Sequence, residues 1–365
     1  MQNQVIVSTD KMVTTMREYG SEFDFIEKDC SIQNIWNHYS SFHILRCGRD
    51  AVLATAKILK NQYGISTVWA PALSCSSMFD GFVAMGLSVN FYPIDEKFNP
   101  LPDEKIDYSN SAILFMLYYG VTDHKIVDDF VRNHPECVSV IDISHALWNE
   151  NTYKINADIF IGSIRKSVGV VNGGIFLSNK YSINVKNSSN QFTILRNRAF
   201  QRKNDYNTTL DSDIKKEYRA LFAEAEASLE RERDVYCADI NSINTIMSIN
   251  VKELQHRRIS NFNTLYNLLL NGKGYKLLVN HIIAGATPFS LPVIVNNQNE
   301  IQESLAKTGV YAPILWPISD IAKQICPFSK QVAENMLSLP IDQRYTMEDM
   351  REIAERFKRT IDGKD

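Results

Sequence analysis

Between residues 47 and 177 the chain repeats one pattern: a short, nearly unbroken apolar run, then a stretch with helical spacing. The apolar runs fall at 67–70, 88–92, 112–118, 138–142, 158–161 and 174–177, with amphipathic stretches such as 50–60, 78–84 and 125–133 between several of them. A strand that is apolar along its whole length has both faces covered. Strands of that kind separated by helices build a parallel sheet between two helical layers. In such sheets ligands gather beyond the carboxyl ends of the strands, so the pattern also says where to look for chemistry.

Two of those ends carry it. The run Val138-Ser139-Val140-Ile141 closes on Asp142, and Ile159-Phe160-Ile161 leads into Ser163-Ile164-Arg165-Lys166, followed by Gly169 and the pair Gly173-Gly174. An acid ending one buried strand and a lysine just past the next is the arrangement needed to hold pyridoxal 5'-phosphate. The lysine amine bonds to the aldehyde, and the acid keeps the ring nitrogen protonated so that the ring draws electrons. Each residue alone has a plainer reading, Lys166 as a solvated loop lysine and Asp142 as the cap of a following helix; in this order, the pair favours the cofactor. His145 stands where it would meet the ring, its phenolic oxygen or a backbone group. Gly48-Arg49-Asp50 precedes the helical run 51–56 and offers free N–H groups and a positive dipole end to a phosphate, unless Asp50 only caps that helix. Ser163 would add a hydroxyl to the same phosphate and Arg165 a charge, if Arg165 is not taken by a surface carboxylate. No G-x-G-x-x-G or G-x-x-x-x-G-K-[ST] supports a dinucleotide or P-loop reading.

Composition narrows the class. Of 365 residues 44% are hydrophobic and 22% charged, and the net charge is -3. That is an ordinary globular balance with no general attraction for nucleic acid or anionic membranes. No run approaches the ~20 apolar residues of a membrane span, and the first twenty residues lack the pattern of a signal peptide. Six scattered cysteines without C-x-x-C spacing argue against a disulfide framework or a metal site and fit a reducing cytoplasm.

Further along, 187–207 is polar and reads as a surface excursion, while 215–234 and 248–270, the latter opening near Asn250, read as long helices. A second block follows, with strands expected at 289–295 and 312–316 and helices at 300–308 and 331–337. Thr346 is placed to cap a last helix, with Glu348 and Asp349 in its first turn. The expected organisation is an N-terminal segment packing on the body (1–45), a large cofactor-binding domain (46–245) and a smaller C-terminal α+β domain (246–365).

The stretches CGRDAVLATAKIL (47–59), VWAPALSCSSMFDGFVAMGLSVNFYPID (68–95), VIDISHAL (140–147), IGSIRKSVGVVNGGIFLSN (161–179) and LSLPIDQRYTMEDMREIAERF (337–357) span most of the chain. Together they resemble the DegT/DnrJ/StrS family of fold type I pyridoxal-phosphate aminotransferases. The resemblance implies a large domain with a mainly parallel sheet flanked by helices. It makes Lys166 the covalently linking, proton-shuttling lysine and Asp142 the pyridine partner. It sets His145 beside the ring, and Ser163 and Gly48-Arg49-Asp50 near the phosphate. Cys75 falls in the segment where the family carries a ring-stacking aromatic residue. Ser163 lies three residues before the lysine where the family has about five, and of the family's GYNYRM-like stretch only Tyr206-Asn207 is present. Tyr119 and Arg344 are the substrate candidates, each with a structural alternative: a packed tyrosine and an ion pair.

The expectation is a cytoplasmic homodimeric transferase. It would move an amino group from an amino acid, glutamate first among the candidates, to a keto acceptor such as a nucleotide-linked sugar in surface polysaccharide biosynthesis. Metal, nucleic acid and membrane have no part in it. One rival is a sugar dehydratase or eliminase using the same cofactor; the family's dehydratases replace the lysine with histidine, and Lys166 speaks against that. The other is a non-catalytic relative that uses the fold for binding.

Overall fold

The computed structural model describes residues 17–24, 35–187, 190–230 and 232–363. Its first part runs β1 (Ser41–Leu45), α1 (Gly48–Tyr63), β2 (Thr67–Pro71), α2 (Asp80–Ala84), β3 (Ser88–Tyr92), β4 (Ser111–Met116), α3 (His124–Asn133), β5 (Val138–Asp142), β6 (Ile159–Ser163) and β7 (Gly174–Ser178). These strands form a seven-stranded sheet in the order β1-β7-β6-β5-β4-β2-β3. Its inner pairs β3·β2, β2·β4, β4·β5 and β5·β6 are parallel, whereas β7 is antiparallel to both β6 and β1. Within each of β4, β5, β6 and β7 every residue is buried, as continuous apolar runs require. The chain is therefore α/β with a mainly parallel sheet flanked by helices.

The rest runs α4 (Gln191–Thr209), α5 (Ser212–Ala227), α6 (Ile240–Met247), α7 (Val251–Leu269), β8 (Tyr275–Leu277), β9 (Leu291–Val295), α8 (Gln298–Lys307), α9 (Asp320–Ile325), α10 (Pro327–Asn335), β10 (Met336–Leu339) and α11 (Met347–Ile361). Strands β8, β9 and β10 make a second, antiparallel sheet in the order β10-β9-β8. Asn250 caps α7 by accepting from Glu253 N. Thr346 caps α11 in a reciprocal capping box with Asp349.

Three expectations need correcting. The polar stretch 187–207 is no loose excursion: α4 starts at Asn190, whose side chain accepts from Thr193 N, and it buries Phe192, Leu195, Ala199 and Phe200. Those positions share one face at helical spacing, which the surrounding Asn, Gln and Arg obscure. Residues 312–316 form no strand. Pro313 and Pro317 remove the donors a ladder needs, and the segment is held by Gln302 donating to Ala312 O and Ser338 N to Pro313 O. Finally, the helix expected at 331–337 stops at Asn335, because Met336 and Leu337 belong to β10 and pair with Ile294 and Val293.

Candidate active site

The site lies where the carboxyl ends of β5 and β6 meet the start of α1. Asp142 is the last residue of β5 and pairs with Ile161 of β6; Ser163 ends β6, and Ile164–Lys166 form one 3-10 turn beyond it. Two bonds tie the strand ends together: Ser144 N donates to Asp142 Oδ1 at 2.8 Å, and Ser163 N donates to Ser144 Oγ at 3.0 Å. Glycine permits the close packing of the third element. A Cβ on Gly174 would sit 2.1 Å from the carbonyl oxygen of Cys47, and one on Gly48 would sit 3.1 Å from Ser163 Cβ. The start of α1 therefore rests directly on the ends of β6 and β7. Cys47 precedes α1 without a side-chain cap, Asp50 N donates to Cys47 O at 3.1 Å, and the N–H groups of Gly48 and Arg49 have no side-chain acceptor among the described residues.

These elements enclose a cavity of about 130 Å³ lined by Gly48, Arg49, Asp142, Ser163, Arg165 and Lys166, together with Ser77, Ser144 and Glu226. A second cavity of about 580 Å³ extends from the other side of Lys166, between residues 18–23, α5 and the second sheet's surroundings. Lys166 is the one lining residue the two cavities share. It is exposed, and its amine makes no hydrogen bond or ion pair among the described residues. Asp142 is 6% exposed. Burial pushes its carboxyl up from the usual range, while Lys166 and the Ser144 N–H oppose that rise. The Ser144 side chain opposes the rise as well.

The remaining candidates are placed differently. Asp50 does not line the cavity; its carboxylate is held by Arg46 at 2.9 and 2.6 Å, a pair in which both side chains are 2% exposed. Arg165 lines the cavity, but its Nη1 donates to Glu226 at 2.6 Å. Cys75 is half-buried against Ser77 Oγ at 3.0 Å and lines neither cavity. His145 is stacked on Phe289 at 3.7 Å and 6°, and burial, with Lys166 and Arg258 nearby, pushes its pKa well below the ordinary value. The imidazole is therefore neutral, and its buried Nδ1 has no hydrogen-bond partner among the described residues. Tyr119 is fully buried, and its hydroxyl accepts from Trp316 Nε1 at 2.6 Å. Arg344 does line the large cavity, yet its guanidinium is shared between Asp342 and the carbonyls of Ser21 and Glu22.

Several residues with a part in the geometry gave no signal in the sequence. Arg258 of α7 is 2% exposed, lines the large cavity and donates to Gln343 Oε1 and the carbonyls of Ser167, Pro288 and Phe289. It makes no ion pair with a carboxylate among the described residues, and burial pulls its pKa down to about 10. Gln343 Nε2 also donates to Ser167 O, so two side chains of the C-terminal region hold the turn that carries Lys166. Glu226 and Ser144 complete the small cavity.

No protein-family model and no curated sequence matches the chain. Solved structures do. It is similar to Helicobacter pylori PseC, an aminotransferase involved in the biosynthesis of pseudoaminic acid, at 15% identity and TM-score 0.64, covering 95% of this chain and 100% of that one. It is also similar to the putative sugar aminotransferase Spr1654 of Streptococcus pneumoniae in its PLP form, at 14% identity and TM-score 0.63, with 91% and 89% covered. The aminotransferase TlmJ of Streptoalloteichus hindustanus matches at 16% identity and TM-score 0.61, with 88% and 86% covered. At such identities the likeness is one of backbone architecture: the chain has the fold of the fold type I aminotransferases, from the seven-stranded sheet to the small second sheet.

Proposed function

We propose that the chain is a pyridoxal-phosphate-dependent aminotransferase moving an amino group from an amino acid, glutamate first among the candidates, to a nucleotide-linked keto sugar. The observation that carries this reading is Lys166 standing in the wall of both cavities, with Asp142 beside it in the small one. The small cavity's donor set fits the cofactor. Asp142 offers a carboxylate to a ring N–H, Lys166 an uncommitted amine for the aldehyde, and the start of α1, which Cys47 leaves without a side-chain cap, suits a phosphate together with Arg49 and Ser163. When bound there, pyridoxal phosphate supplies an electron-drawing ring that lets the carbon bearing the amino group lose a proton.

The chain's own residues do the rest. Lys166 takes that proton from the donor's carbon and delivers one to the acceptor's carbon. Asp142 keeps the ring nitrogen protonated. The turn 164–166 is fixed from behind by Arg258 and Gln343 on Ser167 O, so the amine keeps its aim. Arg258 and Arg219 put positive charge on the wall of the large cavity, which suits anionic substrates such as an amino acid or a sugar nucleotide. The fold likeness and the matching stretches support the acceptor class. Surface polysaccharide biosynthesis, a cytoplasmic homodimer and the division into 1–45, 46–245 and 246–365 belong to the same proposal.

The test is direct. Protein incubated with the cofactor, glutamate and a nucleotide-linked keto sugar should form amino sugar and 2-oxoglutarate. Lys166→Ala should lower that rate by about 10²–10⁴, the usual worth of a positioned proton carrier. A variant as fast as the parent would remove Lys166 from this role.

A further inference from the structure

The small cavity is crowded for the ligand assigned to it. At about 130 Å³ it lies well below the roughly 300 Å³ at which small-molecule pockets begin. One of its walls is an acid, Glu226, near the end of α5. Its carboxylate accepts from Arg165 Nη1 at 2.6 Å and lies 3.5 Å from Arg196 Nη1. Arg49 stands in the same wall and adds its field to that carboxylate, with no hydrogen bond or ion pair of its own among the described residues. Arg165 Nε is buried without a hydrogen-bond partner among the described residues. A carboxylate thus sits among the groups that suit a phosphate, and two anions in one small cavity repel.

We propose that Arg49, Arg165 and the uncapped start of α1 form an anion site that Glu226 occupies from within the chain. The α5 carboxylate has to draw back before a phosphate-bearing cofactor seats. This rests on the reading that the small cavity receives pyridoxal phosphate.

Packing decides which wall yields. The ends of β5 and β6, the apolar face of α1 and Met78 all belong to the main core. The α4–α5 hairpin instead has its own apolar cluster, built on Phe192, Leu195, Phe200, Leu221 and Phe222, which the body joins through Cys47 and Val171. A helix pair with a separate core opens locally without disturbing the sheet. Glu226 moves with it, and Arg165 is left to pair with the incoming phosphate.

Calorimetric titration of three probes into wild-type and Glu226→Gln protein tests this: pyridoxal 5'-phosphate, pyridoxal without the phosphate, and inorganic phosphate. The variant should bind pyridoxal phosphate and inorganic phosphate roughly tenfold more tightly and pyridoxal equally well, since a charge-assisted bond no longer competes. Unchanged or weaker binding of both phosphates would mean that Glu226 merely supports the arginines, and would overturn the proposal. An equal gain for pyridoxal would overturn it too. If neither protein binds either aldehyde while inorganic phosphate still tightens in the variant, the cofactor reading fails and the anion site stands. A measurement on wild type alone guards against a misfolded variant: amide hydrogen exchange across 212–227 with and without inorganic phosphate. Faster exchange around Glu226 on binding supports release; slower or unchanged exchange contradicts it.

Discussion

A carboxylate at the end of a fully buried strand is costly unless something answers it, and at Asp142 the answers are the nearby Lys166 and the side chain and backbone N–H of Ser144. Asp142→Asn keeps the shape and an acceptor for Ser144 N but removes the charge. A charge-assisted hydrogen bond is worth roughly 1.5–3 kcal/mol, so kcat/KM for amino transfer should fall about 10- to 100-fold, with the protein still folded. A variant within threefold of wild type would argue that Asp142 is only a structural strand end. Asp142, Lys166, Ser163 and Gly48 were legible as cavity residues because strand ends and helix starts are local features. Partnerships were not. Whether Asp50 faced a ligand depended on Arg46, and whether Tyr119 was accessible depended on Trp316, 197 residues away. Glu226 and Arg258 were invisible for the same reason: they reach Arg165 and Ser167 across 61 and 91 residues.

At the scale of elements, the sheet strands could be read because each is apolar throughout, while α4 was obscured by the polar residues around its buried face. The cap of α11 was readable from a local pattern, and its worth is measurable. Thr346→Ala should cost about 1 kcal/mol, seen as a lower urea midpoint with an unchanged slope. The α4–α5 hairpin carries a pH-dependent attachment. Burial alone would raise the pKa of Glu226, but Arg165, Arg196 and Arg49 outweigh it and hold it at about 2, below the ordinary 4.5. A depressed acid stabilises the folded state fully above its unfolded value. The hairpin's attachment is therefore whole above pH 4.5 and is lost as pH falls from 4.5 towards 2. Hydrogen exchange of α5, corrected for intrinsic rates, should accelerate over that window in wild type and show no such step in Glu226→Gln.

For the whole molecule, the site is a joint between the large sheet and the C-terminal region. Arg258 and Gln343 grip Ser167 O, Phe289 stacks on His145, and Thr287 Oγ1 donates to Trp148 O. Arg258→Ala takes the Arg258 donor from the carbonyls of Pro288 and Phe289 and from Gln343 Oε1, while Ser167 O keeps Gln343 Nε2. It should cost roughly 3 kcal/mol, since each unsatisfied buried group costs about 1–3 kcal/mol and the joint relaxes in part. Urea unfolding would show it, and a loss under 0.5 kcal/mol would mean that the two regions are held together elsewhere. This joint could not be seen in advance: the periodicity that reveals a helix such as α7 does not say which of its polar residues turns inward.

The central claim is that one amine, at position 166, bonds to the cofactor. Protein loaded with pyridoxal 5'-phosphate, reduced with borohydride, digested and mapped by mass spectrometry tests it without any substrate. The account predicts the reduced cofactor on the peptide containing Lys166 and on no other, with the mark absent from Lys166→Ala. A mark on a different lysine, or none on protein that otherwise binds the cofactor, would contradict it.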